Sequence, residues 1–426
     1  MKRESEPVPP PPCGARKNVV IIGAGVTGIL TGWELARAGH NVTILEARKI
    51  GNGSSSRSAA CIRQQFSTPS TVRGMRYCVE FYTMWNDLFE DSTSPIVQNG
   101  YLFLKDYSTN VEAIQATVAM QRQAGLAEVE WLSREQIDEK FPYLETTGIV
   151  GATWCPTDGF LHPHIIYNDG AEAAKKLGVT IAQDAEIASV VSDDGIVKSI
   201  ITTDGRSFHG DVFVNAAGAW SSPVSVQLGG ANLDIKARRR YLYFIKGPKQ
   251  ETFGLTPENL PQVPMTITPR GCYLRPDSQT QLMLGWAHHV KSVVRPQFDD
   301  QDAVDTGFGH RESGGYGDAV LKEAGAYLPA IQELGRLTAT TAGFYEDSPD
   351  HNPFIGYDPT VPNLIHVAGF SGHGLMHAPF SARIVAHLIA ENRNLDVMEL
   401  PLGLGTVSLA PYRIDREPAG GESMVI

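Results

Sequence analysis

The chain of 426 residues has little of what marks several common classes of protein. Its five cysteines are odd in number and include no C-x-x-C pair, which argues against a disulfide framework or a metal site. No apolar run reaches the length of a membrane-spanning helix. The 36 lysines and arginines are outnumbered by 47 aspartates and glutamates, and the formal charge of −11 argues against nucleic-acid partners. These absences predict a protein of a reducing compartment, the cytoplasm, without a metal or a membrane span.

Two segments lack the patterns of regular structure. Residues 1–17 are charged and rich in proline, without the apolar stretch of a secretory signal, and we expect them to form a disordered tail. Residues 291–318 are polar, rich in glycine and long for a loop. We interpret this second segment as a lid, an interaction loop or a disordered insert.

Glycine, in contrast, is abundant, and three glycines organise residues 18–46. An apolar strand precedes a G-x-G-x-x-G turn formed by Gly23, Gly25 and Gly28, and a helix and a second strand follow before Glu46. The glycines permit a tight turn and a close approach of backbone to a pyrophosphate, which the positive end of the helix attracts. An acid at the end of the second strand accepts hydrogen bonds from a ribose. The segment therefore predicts a dinucleotide-binding unit.

The remaining pattern predicts an α/β protein (α+β overall) with a domain that is discontinuous in sequence. Strands that deliver small residues to sharp turns place residues 18–95, 155–236 and 337–395 in one Rossmann-like domain. Period-two alternation in the middle of the chain predicts a second domain on a mainly antiparallel sheet, from residues 96–154 and 237–336. Residues 396–426 are expected to be a C-terminal tail.

Four motifs carry a family resemblance: GAGVTG with Glu46, SSSRSAA, VNAAGAWS and VAGFSGHGLMHAP. They resemble the FAD-dependent D-amino-acid oxidase superfamily, and most of all its sarcosine oxidase, glycine oxidase and dimethylglycine dehydrogenase branch. The resemblance implies FAD rather than NAD, in the Rossmann-like domain. It also implies oxidation of a carbon–nitrogen bond next to a carboxylate, by hydride transfer to flavin N5, with hydrolysis of the imine. A FAD-dependent 2-hydroxy-acid dehydrogenase and a non-catalytic assembly factor with a flavin fold remain alternatives.

The same motifs give the candidate cofactor-binding residues. Backbone N–H groups that converge in the GFSGHG loop, next to the start of a helix, suit the negative charge that a reduced flavin carries. The candidates are Gly23, Ala24, Gly25, Val26, Thr27, Gly28, Glu46, Ala47, Arg48, Ser56, Arg57, Ser58, Ala59, Ala217, Gly218, Trp220, Gly343, Gly369, Phe370, Ser371, Gly372, His373, Gly374, Leu375 and Met376.

Three positions depart from the sarcosine oxidase pattern. Gly343 stands where those oxidases attach flavin covalently through a cysteine, so non-covalent FAD is expected. Met283 stands where they have a lysine that assists oxygen, so the electron acceptor is either oxygen or a carrier, and a dehydrogenase is a serious alternative to an oxidase. Met376 replaces a lysine that binds the substrate carboxylate in the same branch.

Four residues are candidates for the chemistry on an amino-acid-like substrate. The resemblance places Arg63 and Arg275 where an arginine binds a carboxylate, a role that suits the planar guanidinium. A surface or phosphate-side position for Arg63 and an inter-strand ion pair for Arg275 are equally open. His288 and His373 are the candidate histidines, and His288 would orient the amine or keep it neutral. Tyr273, with other tyrosines of the middle sheet, either closes the substrate pocket or belongs to the core.

Overall fold

The computed structural model describes residues 8–286, 316–417 and 421–424. Within these ranges the helices are α1 (Val26–Arg37), α2 (Pro69–Thr83), α3 (Trp85–Leu88), α4 (Val111–Gln123), α5 (Arg134–Lys140), α6 (Pro163–Lys176), α7 (Ser221–Gln227), α8 (Tyr316–Tyr327), α9 (Ala330–Leu334) and α10 (Gly374–Glu391).

The strands are β1 (Asn18–Ile22), β2 (Asn41–Leu45), β3 (Cys61–Ile62), β4 (Ile96–Val97), β5 (Tyr101–Asp106), β6 (Glu130–Ser133), β7 (Ile149–Cys155), β8 (Gly159–Leu161), β9 (Thr180–Ala182), β10 (Ile187–Asp193), β11 (Ile196–Thr202), β12 (Ser207–His209), β13 (Val212–Asn215), β14 (Lys236–Lys246), β15 (Met265–Ile267), β16 (Cys272–Ser278), β17 (Gln281–Trp286), β18 (Leu337–Asp347), β19 (Phe354–Tyr357), β20 (Leu364–Ala368), β21 (Val397–Leu400) and β22 (Gly405–Ser408). The predicted α/β class is confirmed.

A six-stranded sheet in the order β19-β20-β13-β1-β2-β9 forms the centre of the Rossmann-like half. All neighbouring strands in it are parallel except β19, which is antiparallel to β20. Strand β1 is buried after its first residue because helices cover the sheet, and α1 packs against both α6 and α10. Because β1 lies between β2 and β13, the turns that follow these strands meet at one edge of the sheet.

An eight-stranded sheet in the order β18-β14-β17-β16-β15-β5-β7-β6 forms the second half. It is antiparallel except for the pair β5 and β15. A second hydrophobic core, which includes Leu274 and Leu284, packs α5, α8 and α9 against this sheet. Tyr273 alternates with Leu274 along β16 and belongs to the other core, on the side of the six-stranded sheet.

The structure differs from the expected domain boundaries at one strand. β18 pairs over its length with β14, for example Arg240 opposite Gly343, so residues 337–347 belong to the larger sheet. The expected start of the last Rossmann-like segment at residue 337 is therefore wrong. A long antiparallel strand that ends at the cofactor loop carries no sequence signal of which sheet it joins. The other boundaries stay predictions.

Both expected tails are anchored where the structure describes them. Val8 is buried, and its carbonyl oxygen accepts a hydrogen bond of 2.6 Å from Arg37. Near the other end, β21 and β22 form a hairpin, and Arg416 forms a buried ion pair of 2.7 Å with Asp350. A disordered N-terminal tail is thus wrong for residues 8–17. Among the described residues no helix is long and apolar enough to cross a membrane.

Candidate active site

The glycine-rich turn lies at the edge where β1, β2 and β13 end. Gly23 donates a hydrogen bond of 2.7 Å to Leu45 O, and its φ of +105° is in the region that favours glycine. A Cβ atom on Gly28 would lie 2.0 Å from Gly23 O, so only glycine permits this contact between helix and turn. The N-terminus of α1 is thereby held at the edge of the sheet, and Val26 N there donates to Ser55 Oγ at 3.0 Å.

Glu46 follows β2 at the same edge. One carboxylate oxygen accepts a hydrogen bond from Ala24 N at 2.9 Å, and the other accepts one from Arg48 N at 2.8 Å. Burial raises the pKa of Glu46, and the two backbone N–H groups oppose that shift. The carboxylate therefore braces the glycine-rich turn and borders the cavity beside it.

A cavity of about 330 Å³ runs from this turn to the GFSGHG loop. Sixteen of the candidate cofactor residues line it: Gly23, Gly25, Val26, Thr27, Glu46, Ala47, Arg57, Ser58, Ala59, Ala217, Gly218, Trp220, Gly343, Gly372, Gly374 and Leu375. Ala24 and Arg48 instead hold Glu46, and Gly28 packs against the turn. Ser56, Gly369 and Phe370 do not line it, and Ser371, His373 and Met376 line a smaller cavity next to it. Further lining residues, such as Glu186 and Gln227, belong to no motif that the sequence displays.

The larger cavity suits an elongated dinucleotide such as FAD. It has a helix N-terminus and an acid at one end and a glycine-rich loop at the other. A Cβ atom on Gly343 would lie 2.9 Å from Arg57 O, so no side chain fits at the position of the covalent cysteine. Ser54 Oγ holds the adjacent loop to β18 with a hydrogen bond of 2.7 Å to Phe344 O.

The GFSGHG loop is tightly wound between β20 and α10. Gly369, Ser371 and Gly372 all have positive φ, and a Cβ atom on Gly372 would lie 2.4 Å from the Tyr345 ring. Glu346 accepts a hydrogen bond of 3.0 Å from Gly369 N and borders the larger cavity, where desolvation raises its pKa to about 7. The first N–H groups of the 18-residue α10 are thereby positioned beside the junction of the two cavities.

The smaller cavity continues from the larger one, with which it shares Ser58, Ala59, Tyr273, Tyr345 and Gly372. Its other lining residues are Ala60, Cys61, Arg63, Tyr101, Met265, Ser371, His373 and Met376. Among these residues Arg63 is the only lysine or arginine, and there is no aspartate or glutamate. Burial raises the pKa of the Tyr101 and Tyr345 hydroxyls, so both stay neutral. A small and mostly uncharged space with one cation suits a compact anion.

Arg63 is fully buried in this wall. One terminal nitrogen, Nη1, donates to Gln65 O, and the other, Nη2, donates to Met424 O and lies 3.3 Å from His373 Nε2. The guanidinium carbon lies 3.9 Å from the centre of the Phe66 ring. Its Nε is buried and has no hydrogen-bond partner among the described residues.

Asp158 holds the loop that carries Arg63, and no motif in the sequence indicates this role. One oxygen accepts hydrogen bonds from Gln64 N at 2.8 Å and Gln64 Nε2 at 3.0 Å, and the other accepts one from Gln65 Nε2 at 3.1 Å. Burial raises the pKa of Asp158 to about 6. Arg63 follows β3, and Asp158 precedes β8, with which β3 pairs, so only the folded sheet brings them together.

His373 and His377 lie on one turn around the start of α10 and are both buried. Burial and the charge of Arg63 lower the pKa of His373 well below its usual value, and burial lowers that of His377 to about 4. Because a guanidinium only donates, His373 Nε2 accepts from Arg63. Both rings are therefore neutral at pH 7, and the Nε2 lone pair of His373 is engaged.

The structure does not place Arg275, the second candidate arginine, beside Arg63. Arg275 is buried in β16, where it donates to Ala59 O at 2.8 Å and Pro276 O at 2.6 Å and does not line the smaller cavity. It also forms an ion pair of 3.5 Å with Asp277 of the same strand, so the ion pair lies within β16 rather than between strands. These contacts are those of a residue that supports the loop of residues 58–60. His288 and residues 291–315 of the polar segment lie outside the described residues.

Comparison with known proteins identifies the family. The model of the FAD dependent oxidoreductase (DAO) family matches residues 18–388. FAD-dependent oxidoreductase domain-containing protein 1 of Bos taurus is 26% identical over 94% of this chain and 85% of its own length. Glycine oxidase of Geobacillus kaustophilus is 24% identical over 88% of this chain and 93% of its own length. The crystal structure of L-proline dehydrogenase from P. horikoshii is 26% identical, with a TM-score of 0.75 over 92% of this chain and 96% of that one. This chain belongs to the family of FAD-dependent oxidoreductases, and its cofactor is FAD.

Proposed function

We propose that the protein oxidises the carbon–nitrogen bond of an amino acid or an N-alkyl amino acid, with Arg63 as the residue that binds the substrate carboxylate. Support comes from the relatives, whose names include an oxidase of glycine and a dehydrogenase of proline. It comes also from the smaller cavity, in which one arginine faces a mostly uncharged space next to the cavity assigned to FAD. FAD, when bound, accepts the hydride that leaves the substrate carbon.

The engaged lone pair of His373 is the observation that favours an amine over an alcohol. Oxidation of a 2-hydroxy acid needs a base for the hydroxyl proton, and His373 is the only histidine that lines the described part of the cavity. Its Nε2 already accepts from Arg63, and its pKa is lowered well below the usual value, so it is a poor base. An amine that arrives neutral needs no such base, because its own lone pair assists the departure of the hydride and forms the C=N bond of an iminium cation.

In this reaction the residues of the chain bind the substrate, orient it and exclude water from the reacting carbon. Arg63 fixes the carboxylate, and Tyr101, Tyr273 and Tyr345 close the space around the reacting carbon. Loss of the hydride takes one proton and two electrons from the neutral amine and leaves an iminium cation, which water then hydrolyses to an oxo acid and an ammonium or alkylammonium ion. The N–H groups at the start of α10 would stabilise negative charge on a cofactor bound beside them.

We further propose an electron carrier rather than oxygen as the acceptor, and non-covalent attachment of FAD. Met283, at the position of the lysine in the sarcosine oxidase resemblance, is 1% exposed in β17 and pairs with Arg275. A thioether offers no positive charge to stabilise superoxide.

Anaerobic titration of the flavin absorbance tests the proposal. The holoenzyme is mixed with D-, L-, N-methyl and cyclic amino acids and with matched 2-hydroxy acids, and air is then admitted. We expect at least one amino acid to bleach the flavin, no hydroxy acid to do so, and slow recovery in air that an artificial dye accelerates. Bleaching by hydroxy acids alone would contradict the substrate class, and fast recovery in air would contradict the carrier.

A further inference from the structure

The C-terminal segment, defined as residues 421–424, lies outside the part of the chain that matches the family. It nevertheless reaches the proposed substrate site, because Arg63 Nη2 donates to Met424 O. A backbone carbonyl group of the chain itself therefore occupies a donor of the arginine that we assign to the substrate carboxylate.

Glu422 anchors the segment from a buried position, with 3% of its surface exposed. Its carboxylate accepts from Ser67 N at 3.0 and 3.1 Å and from Met424 N at 2.8 Å. Ser423 N donates to Ser67 Oγ at 3.1 Å, and Glu422 N donates to Asp350 O at 3.0 Å. The bonds to Ser67, two of them to the Glu422 carboxylate, hold the segment against the loop that follows Arg63. The bond to Asp350 O fixes the segment to a second loop, and the bond from Met424 N lies within the segment.

The hydrogen bonds of Arg63 leave no room for a carboxylate beside Met424. A carboxylate binds a guanidinium through two parallel N–H groups, on either the Nη1–Nη2 edge or the Nε–Nη2 edge. Both edges include Nη2, and the two N–H groups of Nη2 face His373 Nε2 and Met424 O. Nε is buried and has no partner among the described residues, so a carboxylate that replaces Met424 O would bind along the Nε–Nη2 edge.

We propose that the C-terminal segment is an intramolecular competitor of the substrate: a carboxylate pairs with Arg63 only when Met424 O is displaced. The inference rests on the proposed function, since it takes Arg63 as the carboxylate-binding residue. A carboxylate cannot bind while the segment is docked, so its apparent affinity is reduced in proportion to the fraction of molecules in which the site is open. Loosening the segment therefore tightens carboxylate binding, whereas a segment that completed the site would do the opposite.

Hydrogen exchange of the native holoenzyme tests the displacement without a mutation. Acetate is the probe, because it has a carboxylate and no amine to oxidise. We expect saturating acetate to speed exchange at the amides of Glu422 and Ser423, because their acceptors, Asp350 O and Ser67 Oγ, lie outside the segment and are lost when it leaves. Chloride or methylammonium at equal ionic strength should have no such effect. Unchanged or slower exchange with bound acetate would overturn the proposal.

A matched pair of variants tests the affinity. Glu422→Ala removes the anchor, and Glu417→Ala removes an exposed acid with the same change in charge. Acetate affinity, measured through the flavin absorbance, is expected to be about tenfold tighter in Glu422→Ala and unchanged in Glu417→Ala, because the lost hydrogen bonds open the site in more molecules. A chain without residues 418–426 should show the same direction. Equal or weaker binding in Glu422→Ala, with FAD content retained, contradicts the competitor.

These results separate the two proposals. If acetate releases the segment but no amino acid bleaches the flavin, the proposed reaction is wrong and the competitor stands. If amino acids bleach the flavin and acetate binds with the segment still protected, the competitor is wrong and the reaction stands.

Discussion

The two cavities of the site are built in different ways. The turn at the start of the larger one comes mainly from residues 18–46, and it relies on backbone groups, a helix N-terminus and glycines that no other residue can replace. The smaller one is lined mainly by side chains from residues 58–61, 63, 101, 265, 273, 345, 371–373 and 376, and residue 424 contacts its arginine. A site formed by backbone groups is visible in the sequence as a short motif. A site formed by side chains combines residues that are distant in the sequence and becomes visible only in the folded structure.

The largest effect is expected at the backbone-built end. Gly28→Ala places a Cβ atom 2.0 Å from Gly23 O, and we expect loss of FAD and a loss of unfolding free energy of about 3 kcal/mol or more. Gly178→Ala is the control, since its Cβ atom meets nothing within 4 Å and only its φ of +89° opposes a side chain, at a cost of about 1 kcal/mol. Flavin content and urea unfolding measure both. Equal losses in the two variants would show that crowding at the turn is unimportant.

The next effect is expected at the side-chain-built end. Arg63→Lys keeps the charge but removes the planar fork, and we expect kcat/KM for an amino acid to fall by about two orders of magnitude. Flavin content should be unchanged, because Arg63 does not line the larger cavity. The control is Arg206→Lys, an exposed arginine that pairs with Asp204. A parallel loss of flavin would mean that the two ends are not separable.

The same contrast explains what the sequence could predict. Gly23, Gly28 and Glu46 contact other residues of the segment 22–48, so their spacing predicts the glycine-rich turn, and the family motif predicts the GFSGHG loop. Two residues show where the sequence pattern was not sufficient: Arg275, which it made a substrate candidate, and Asp158, which it did not single out. Arg275 is an arginine in a strand of the expected type, yet its guanidinium bonds to backbone. Asp158 has no motif around it, and its role depends on the pairing of β3 with β8. The position of Met424 on Arg63 depends likewise on contacts 361 residues apart.

The helix α10 starts between the two cavities, and His377 on it gives a pH test. Its pKa is lowered from 6.5 to about 4 in the folded protein, so the folded state binds fewer protons than the unfolded state between these values. Stability from this group is present above pH 6.5 and is lost as the pH falls toward 4, by about 2 kcal/mol at pH 5. His377→Gln should flatten the pH dependence of urea unfolding, and the exposed His209→Gln should not. An unchanged slope in His377→Gln would show that this ring charges freely when folded.

The smallest effect is expected from Asp158, which acts on the substrate only through the loop of Arg63. Asp158→Asn turns one acceptor into a donor that faces Gln64 or Gln65, and we expect KM to rise about tenfold with little change in kcat. The folded pKa is raised to about 6, so the native carboxylate gains its proton as the pH falls through 6 and then accepts fewer hydrogen bonds. KM of the native protein should therefore rise below pH 6, and this rise should be absent in the Asp158→Asn variant. Asp204→Asn, in an exposed turn, is the control, and a lost kcat with unchanged KM would exclude a positioning role.

The proposed reaction requires that the substrate carboxylate bind to Arg63 in the smaller cavity while the neighbouring amine is oxidised. The most direct measurement compares anaerobic flavin reduction by an accepted amino acid, by the hydroxy acid with the same carbon skeleton and by the amine that lacks the carboxylate. We expect rapid reduction by the amino acid alone, because only this compound has both a carboxylate for Arg63 and an amine whose lone pair assists hydride loss without a base. Reduction by the hydroxy acid, or equally by the amine without a carboxylate, would contradict it.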